Sequence, residues 1–339
     1  MLPPELQQKL AAAQKQLEQY RQALLADEEQ ARKRASKKAA WIACVCVALL
    51  LAAGAAGLLF RIGTAEMLAL LVVIAIGGAI ASLLTATKPV PGFFTAYEDT
   101  YKTEINNAIV KHFSPALAYI EEDGINRETF ESSGLFATKP NRYGTSDLVS
   151  GTHGGNKTQL QLARVFAGQL RTTGGSVAGK GASRTISTTI FDGVLLVVTV
   201  NQPFKGHTFV LWNETIIPTD AVPPFDDRLT QLGNPDFERE FAVYTDAPEE
   251  ARRNLTAQLM EHMLALKRRP DTAMMRFSFK DSSINIALEE DDDDNNPFDP
   301  DFDKPATDAA QLERIYEHFA FYLGIVDGLD LNTHIGPKE

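Results

Sequence analysis

Gly174 and the pair Gly179-Lys180 enclose four residues, which is the spacing of a phosphate-cradling loop. That loop also needs Ser or Thr after the lysine to hold magnesium, with a strand before it and an apolar helix after it. Here Gly181 follows, and Ala182-Ser183-Arg184-Thr185 lead into a strand pattern. The stretch therefore reads as a hairpin loop. Gly151-Thr152-His153-Gly154-Gly155 could offer backbone amides to an anion, but it reads as a wide turn entering a strand. In the acidic run Glu289 to Asp294, continued by Asp299, Asp301 and Asp303, the residues Asp291, Asp293 and Asn295 have calcium-loop spacing. The obligatory glycine is replaced by Asn296 and the bidentate glutamate by Phe302, so a solvated acidic loop is expected. No two of the six histidines share a ligand-pair spacing on a helix face, and no Gly-x-Ser-x-Gly elbow occurs. No cofactor and no metal are expected.

What remains is dispersed. His153, Asp192, His207 and Asp246 could form an active site only if folding gathers them. Glu250 and Arg252 flank Ala251, which lies on the buried stripe of a helix, so both must point elsewhere. With His153 and His207 they make up the candidate functional surface.

The element expected to position all of this is a pair of uncharged apolar runs, Trp41 to Phe60 and Met67 to Ala86, joined by Arg61 to Glu66. Each has the ~20 residues needed to cross a ~30 Å hydrocarbon layer, and together they read as a two-span hairpin over 41–87. Arg32, Lys33, Arg34, Lys37 and Lys38 precede the first run. By the positive-inside rule both termini are then cytoplasmic. The expected setting is a multi-pass protein of the bacterial inner membrane, with the bilayer as partner through 41–87. Cys44 and Cys46 fall inside the first run and read as apolar filler.

Residues 1–40 read as one helix. Leu6, Leu10, Ala13, Leu17, Tyr20, Leu24 and Ala31 form a heptad-like seam suited to a short coiled coil or to packing on the chain's own domain. Residues 88–339 form the third region, the cytosolic domain. The net charge of −11 divides as +3 over 1–40, +1 over 41–88 and −15 over the remainder. An acidic domain without a basic stripe argues against nucleic acid as a partner. Protein partners or self-association are expected instead.

Within 88–339 the patterns predict a helix over 93–113 and a short helix from Asn126, closed by Gly134. Strands follow at 158–167, 186–200, 207–212 and 237–245, then a hairpin of 274–279 with 284–288. Asp246 and Glu249 look like a capping box opening a helix that runs to Arg269, and a last helix spans 308–326. Helices followed by mostly antiparallel strands make the class α+β, with a curved sheet or partial barrel and packing helices.

Five stretches carry a family resemblance. They are Phe130-Glu131-Ser132-Ser133-Gly134-Leu135-Phe136, Asp147-Leu148-Val149-Ser150-Gly151, Ile190-Phe191-Asp192-Gly193, Phe204-Lys205-Gly206-His207-Thr208-Phe209-Val210, and Phe237 through Asp246, followed by Glu250-Ala251-Arg252. In this order they resemble the bacterial membrane family known as domain of unknown function number 3137, over most of 90–335. The resemblance implies a two-span anchor and a cytosolic domain, and it brings no assigned activity and no catalytic residues. The expected function is a membrane-anchored binding or scaffolding domain. The alternative is an enzyme with a site assembled from dispersed residues.

Overall fold

The computed structural model describes residues 2–60, 95–154, 158–174, 183–201, 203–212, 229–268, 272–290, 296 and 298–328. The phosphate-loop-like segment, most of the acidic run and the second apolar run lie outside them. The chain divides into two compact units: Met1–Ala13 with Tyr101–Glu339, and Gln14–Thr100.

The class is α+β. Eight strands form one sheet in which every pairing is antiparallel, in the order β1-β2-β3-β4-β8-β7-β5-β6. They are β1 (Leu117–Ile120), β2 (Arg142–His153), β3 (Thr158–Gly174), β4 (Ser183–Thr199), β5 (His207–Trp212), β6 (Phe241–Thr245), β7 (Thr272–Lys280) and β8 (Ser283–Glu290). Among the described residues β1 and β6 do not pair with each other, so the sheet is open rather than a closed barrel. One face is covered by Ile125, Phe130, Leu135 and Phe136 packed on Ala163, Val165, Phe191, Leu195 and Phe209. On the opposite face Tyr119 of β1 meets Phe319 edge-on at 6.3 Å.

The helices are α1 (Pro4–Phe60), α2 (Thr95–Tyr101), a π-helical turn (Lys102–Asn106), α3 (Asn107–Phe113), α4 (Arg127–Ser132), α5 (Pro235–Glu240), α6 (Pro248–Asn254), α7 (Ala257–Lys267) and α8 (Ala309–Gly328). Tyr97, Tyr101, Ile105 and Ile109 are all buried at successive spacings of four. A 3.6-residue helix turned by four residues drifts ~40° each time, and the π turn takes up that drift.

Among the described residues no helix is long and apolar enough to cross a membrane. This overturns the expected two-span hairpin, and with it the multi-pass inner-membrane placement and the topology drawn from it. The first run, 41–60, is the end of α1, most of which is a charged stem, and Trp41 at its head is 69% exposed. The coiled-coil expectation gives way as well. Leu6, Leu10 and Leu17 of the seam are buried within the chain's own fold, so they are not free to zip to another helix.

Three local expectations change. Residues 235–240 are helical rather than extended, because Asn234 caps the turn by accepting from the Phe237 amide at 3.2 Å and Pro235 sits in the first turn. Asp246 does not cap the next helix, whose N-cap is Ala247 without a side-chain bond. That helix also breaks at Leu255, and Thr256 caps a new one by accepting from the Leu259 amide. Finally, Gly151, Thr152 and His153 end strand β2 instead of forming a wide turn.

Candidate functional site

The densest polar cluster centres on Lys102, which the sequence did not single out. The π turn carries this side chain inward until it is 4% exposed. Its Nζ lies 2.6 Å from Asp299 Oδ1, 3.1 Å from Asp147 Oδ1 and 3.5 Å from Glu121 Oε1. Asp147 is fully buried. It sits where the β2–β3 register shifts between Ser146 and Val149, with φ at +60°. A non-glycine residue there is strained, and its bonds hold it. The Tyr119 hydroxyl donates to Oδ1 at 2.5 Å, while Ser146 Oγ and Asn296 Nδ2 donate to Oδ2 at 2.7 and 3.0 Å. Asn296 Nδ2 also donates to Asp299 Oδ1 at 2.8 Å. Asp299, expected in a solvated loop, therefore ties the described residues 296 and 298–303 to the π turn.

The electrostatics make this cluster a lock. Burial pulls the Lys102 ammonium down, but Asp147 and Asp299 outweigh it, so the group stays above the usual lysine range. A lysine held as ammonium is neither a nucleophile nor a Schiff-base former. Burial, then the Asp147 charge, pushes the Tyr119 phenol up. Burial likewise raises the Asp299 carboxyl against the pull of Lys102.

The second cluster gathers three of the resemblance stretches around His207. Its Nε2 lies 2.8 Å from Ser278 Oγ, which suggests a nucleophile and its base. The direction of the hydrogen bonds runs against that in this structure. Ser278 Oγ donates its proton to the Ser133 carbonyl at 2.6 Å, so it must accept from His207 Nε2–H. A general base needs the opposite arrangement, with the serine proton aimed at the imidazole. Burial, then Lys280, lowers His207 to about 4, which keeps the ring neutral. The backbone amide of His207 donates to Asp246 Oδ1 at 2.6 Å. Gly134 has φ +71°, and a Cβ there would stand 2.5 Å from the His207 ring. Gly206 has φ +82°, and its Cβ would stand 2.3 Å from Asp246 Oδ1. Ser133-Gly134, Gly206-His207 and Asp246 thus require one another for packing.

The other predicted residues go elsewhere. His153 Nε2 faces Asp327 Oδ1 at 3.1 Å, and Asp192 pairs with Arg164 at 2.9 Å. Glu250, half-buried, pairs with the exposed Arg253 at 2.5 Å, and the exposed Arg252 pairs with Glu249 at 2.8 Å, all on α6. Of the four dispersed residues, the fold brings His207 and Asp246 together, while His153 and Asp192 each join a different partner. Sequence reasoning missed Lys102, Tyr119, Asp147 and Asp299. Asp147 opens a resemblance stretch, and the four-residue spacings from Tyr97 to Ile109 were the signal for a π turn that carries Lys102 inward. Nothing in the pattern marked Tyr119, and Asp299 was visible only as part of an acidic run read as a solvated loop.

No curated protein matches the chain. Among solved structures it is similar to the mycobacterial trehalose monomycolate transport factor A, TtfA, at 10% identity and TM-score 0.34, over 70% of this chain and 98% of that one. At that score the likeness does not establish a shared fold. A family model matches residues 189–331 and covers the last three resemblance stretches, while those at 130–136 and 147–151 lie outside it. The family matched over residues 189–331 is the one described as protein of unknown function (DUF3137).

Proposed function

We propose that the chain is a non-catalytic protein-binding or scaffolding domain. The observation that supports this reading is the direction of the His207–Ser278–Ser133 hydrogen-bond chain. It turns the described residues that look most like a nucleophile and base into a packing device. Lys102 adds to it, since its ammonium is committed to carboxylates. The partners are proteins rather than nucleic acid, in keeping with the net charge of −11. Glu250 and Arg252 on α6 are proposed as part of the contact surface, Arg252 exposed and paired with Glu249, and Glu250 half-buried beside the exposed Arg253.

The test is in-cell cross-linking of the full chain in its source organism, followed by mass spectrometry. The expected result is a small set of proteins cross-linked recurrently to this domain. Cells that depend on the chain yet yield no cross-linked protein above background would overturn the reading.

A further inference from the structure

β4 runs from Ser183 to Thr199, but β8 pairs with it only from Gly193 to Thr199. Among the described residues nothing pairs with the outer edge of 183–192. The opposite edge of the same β3–β4 ribbon is covered as far as Leu170. There Asn141 imitates a strand, its Oδ1 accepting from the Leu170 amide at 2.7 Å and its Nδ2 donating to the Leu170 carbonyl at 2.9 Å. Gln169 Nε2 adds a bond to the Lys139 carbonyl. The terminal strands of the sheet are short, four residues in β1 and five in β6, and Leu229 bridges to Tyr244 of β6. Shortening and capping are the usual defences of sheet edges, and residues 183–192 have neither.

The surroundings of this edge say what fits it. Residues 185–189 are exposed on both faces of the ribbon. In an antiparallel strand alternate residues turn both N–H and C=O outward, so ten residues offer about five such pairs. Leu170 and Ile186 are 42% and 44% exposed, and the register puts them on opposite faces, where alternate side chains of an added strand would lie. From Leu148 to Phe191 there is no Asp or Glu against five Lys and Arg, in a chain of net charge −11. Arg171 stands opposite Ile186, and Arg184 opposite Thr173. A second copy laid on this edge would bring two basic ribbons together, with Asp192 already paired to Arg164, whereas an acidic strand would be attracted.

We propose that residues 183–192 of β4 receive an extended acidic segment of a partner protein as an added strand. This rests on the protein-binding reading above and gives it a place and a partner chemistry. Main-chain bonds supply the affinity of such an addition, and alternate side chains supply the selectivity.

The test is hydrogen–deuterium exchange of the full chain, alone and with decapeptides of alternating glutamate and valine or lysine and valine. Alone, the outward amides of 183–192 should exchange fast. The glutamate peptide should slow them by about tenfold or more, less so at high salt, and the lysine peptide should not. Arg171→Glu, an exposed change on the neighbouring strand that leaves the ladder intact, should weaken the glutamate peptide by about tenfold. Slow exchange in the free monomer would put one of the chain's own segments on the edge and overturn the proposal. Protection that rises with protein concentration, with a dimer mass by light scattering, would give the edge to a second copy and overturn it too. Equal protection by both peptides, or none, also overturns it. If cross-linked partners map elsewhere while the edge stays unprotected, the edge proposal fails and the binding reading stands. If no partner cross-links at all, the binding reading itself has failed.

Discussion

Lys102 and His207 are the two side chains on which the structural account turns, and each makes a measurable prediction. Removing the cation leaves the buried Asp147 and the half-buried Asp299 without it. Lys102→Met should therefore cost about 3–5 kcal/mol, read from chemical denaturation, and Asp147→Asn on the same chain should recover part of that loss. A Lys102→Met chain as stable as the parent would mean that the cluster holds nothing. For His207 the folded value of about 4 lies below the unfolded value of about 6.5. The unfolded chain then binds the extra proton. The contribution is fully present above about pH 6.5 and is lost as pH falls toward 4, on the order of 3 kcal/mol over that window. Denaturation at a series of pH values should show His207→Gln losing one proton's worth of slope between those limits. An unchanged slope would place the ring in water.

At the scale of elements, the segment from Asn234 to Asp246 shows what the chain's pattern could and could not reveal. The alternation from Phe237 to Thr245 fits a strand by side-chain period alone. Phe237 and Phe241 are four apart, however, and stack at 4.9 Å across the end of α5. Asn234-Pro235, an N-cap followed by a first-turn proline, was the overlooked signal. Asn234→Ala should cost about 1 kcal/mol, and Phe237→Ala about 3–5 kcal/mol, both by thermal or chemical melting. Asp246→Ala should cost about 1–3 kcal/mol through the orphaned His207 amide, not through helix capping, so its effect should couple to that of Gly206→Ala. The hairpin of β7 and β8, the final helix and the Asn126 cap were legible because local rules decide them. The Asn126 side chain does accept from the Thr129 amide at 2.8 Å. Strand β1 was not legible. Its four residues are held by pairing with β2, whose partners stand about thirty positions away in the sequence.

Over the whole molecule, composition was read too far. The apolar content of 41–60 correctly indicated a helix, but the setting inferred from it does not survive the structure, in which that run completes a helix starting at Pro4. The centre of the fold was hidden for a different reason. Lys102, Glu121, Asp147 and Asp299 come from four separate stretches and meet only once the sheet and the π turn have formed. Surface features carry less weight in the account. Glu250→Ala and Arg252→Ala each remove one pair on α6 and should change stability by no more than about 1 kcal/mol. Lost function with unaltered melting would assign them to the contact surface, while full function would make them ordinary surface charge.

The central claim is that this domain works by binding and that its His207–Ser278 pair is structural. Ser278→Ala removes the hydroxyl a serine mechanism would need and leaves the surface untouched, since Ser278 is fully buried. The decisive measurement is function of the Ser278→Ala chain in a strain lacking the native copy, set against its folded abundance and melting temperature. The account predicts a lower melting temperature and function in proportion to the folded protein present. Loss of function with abundance and melting unchanged would contradict it and make Ser278 a catalytic residue.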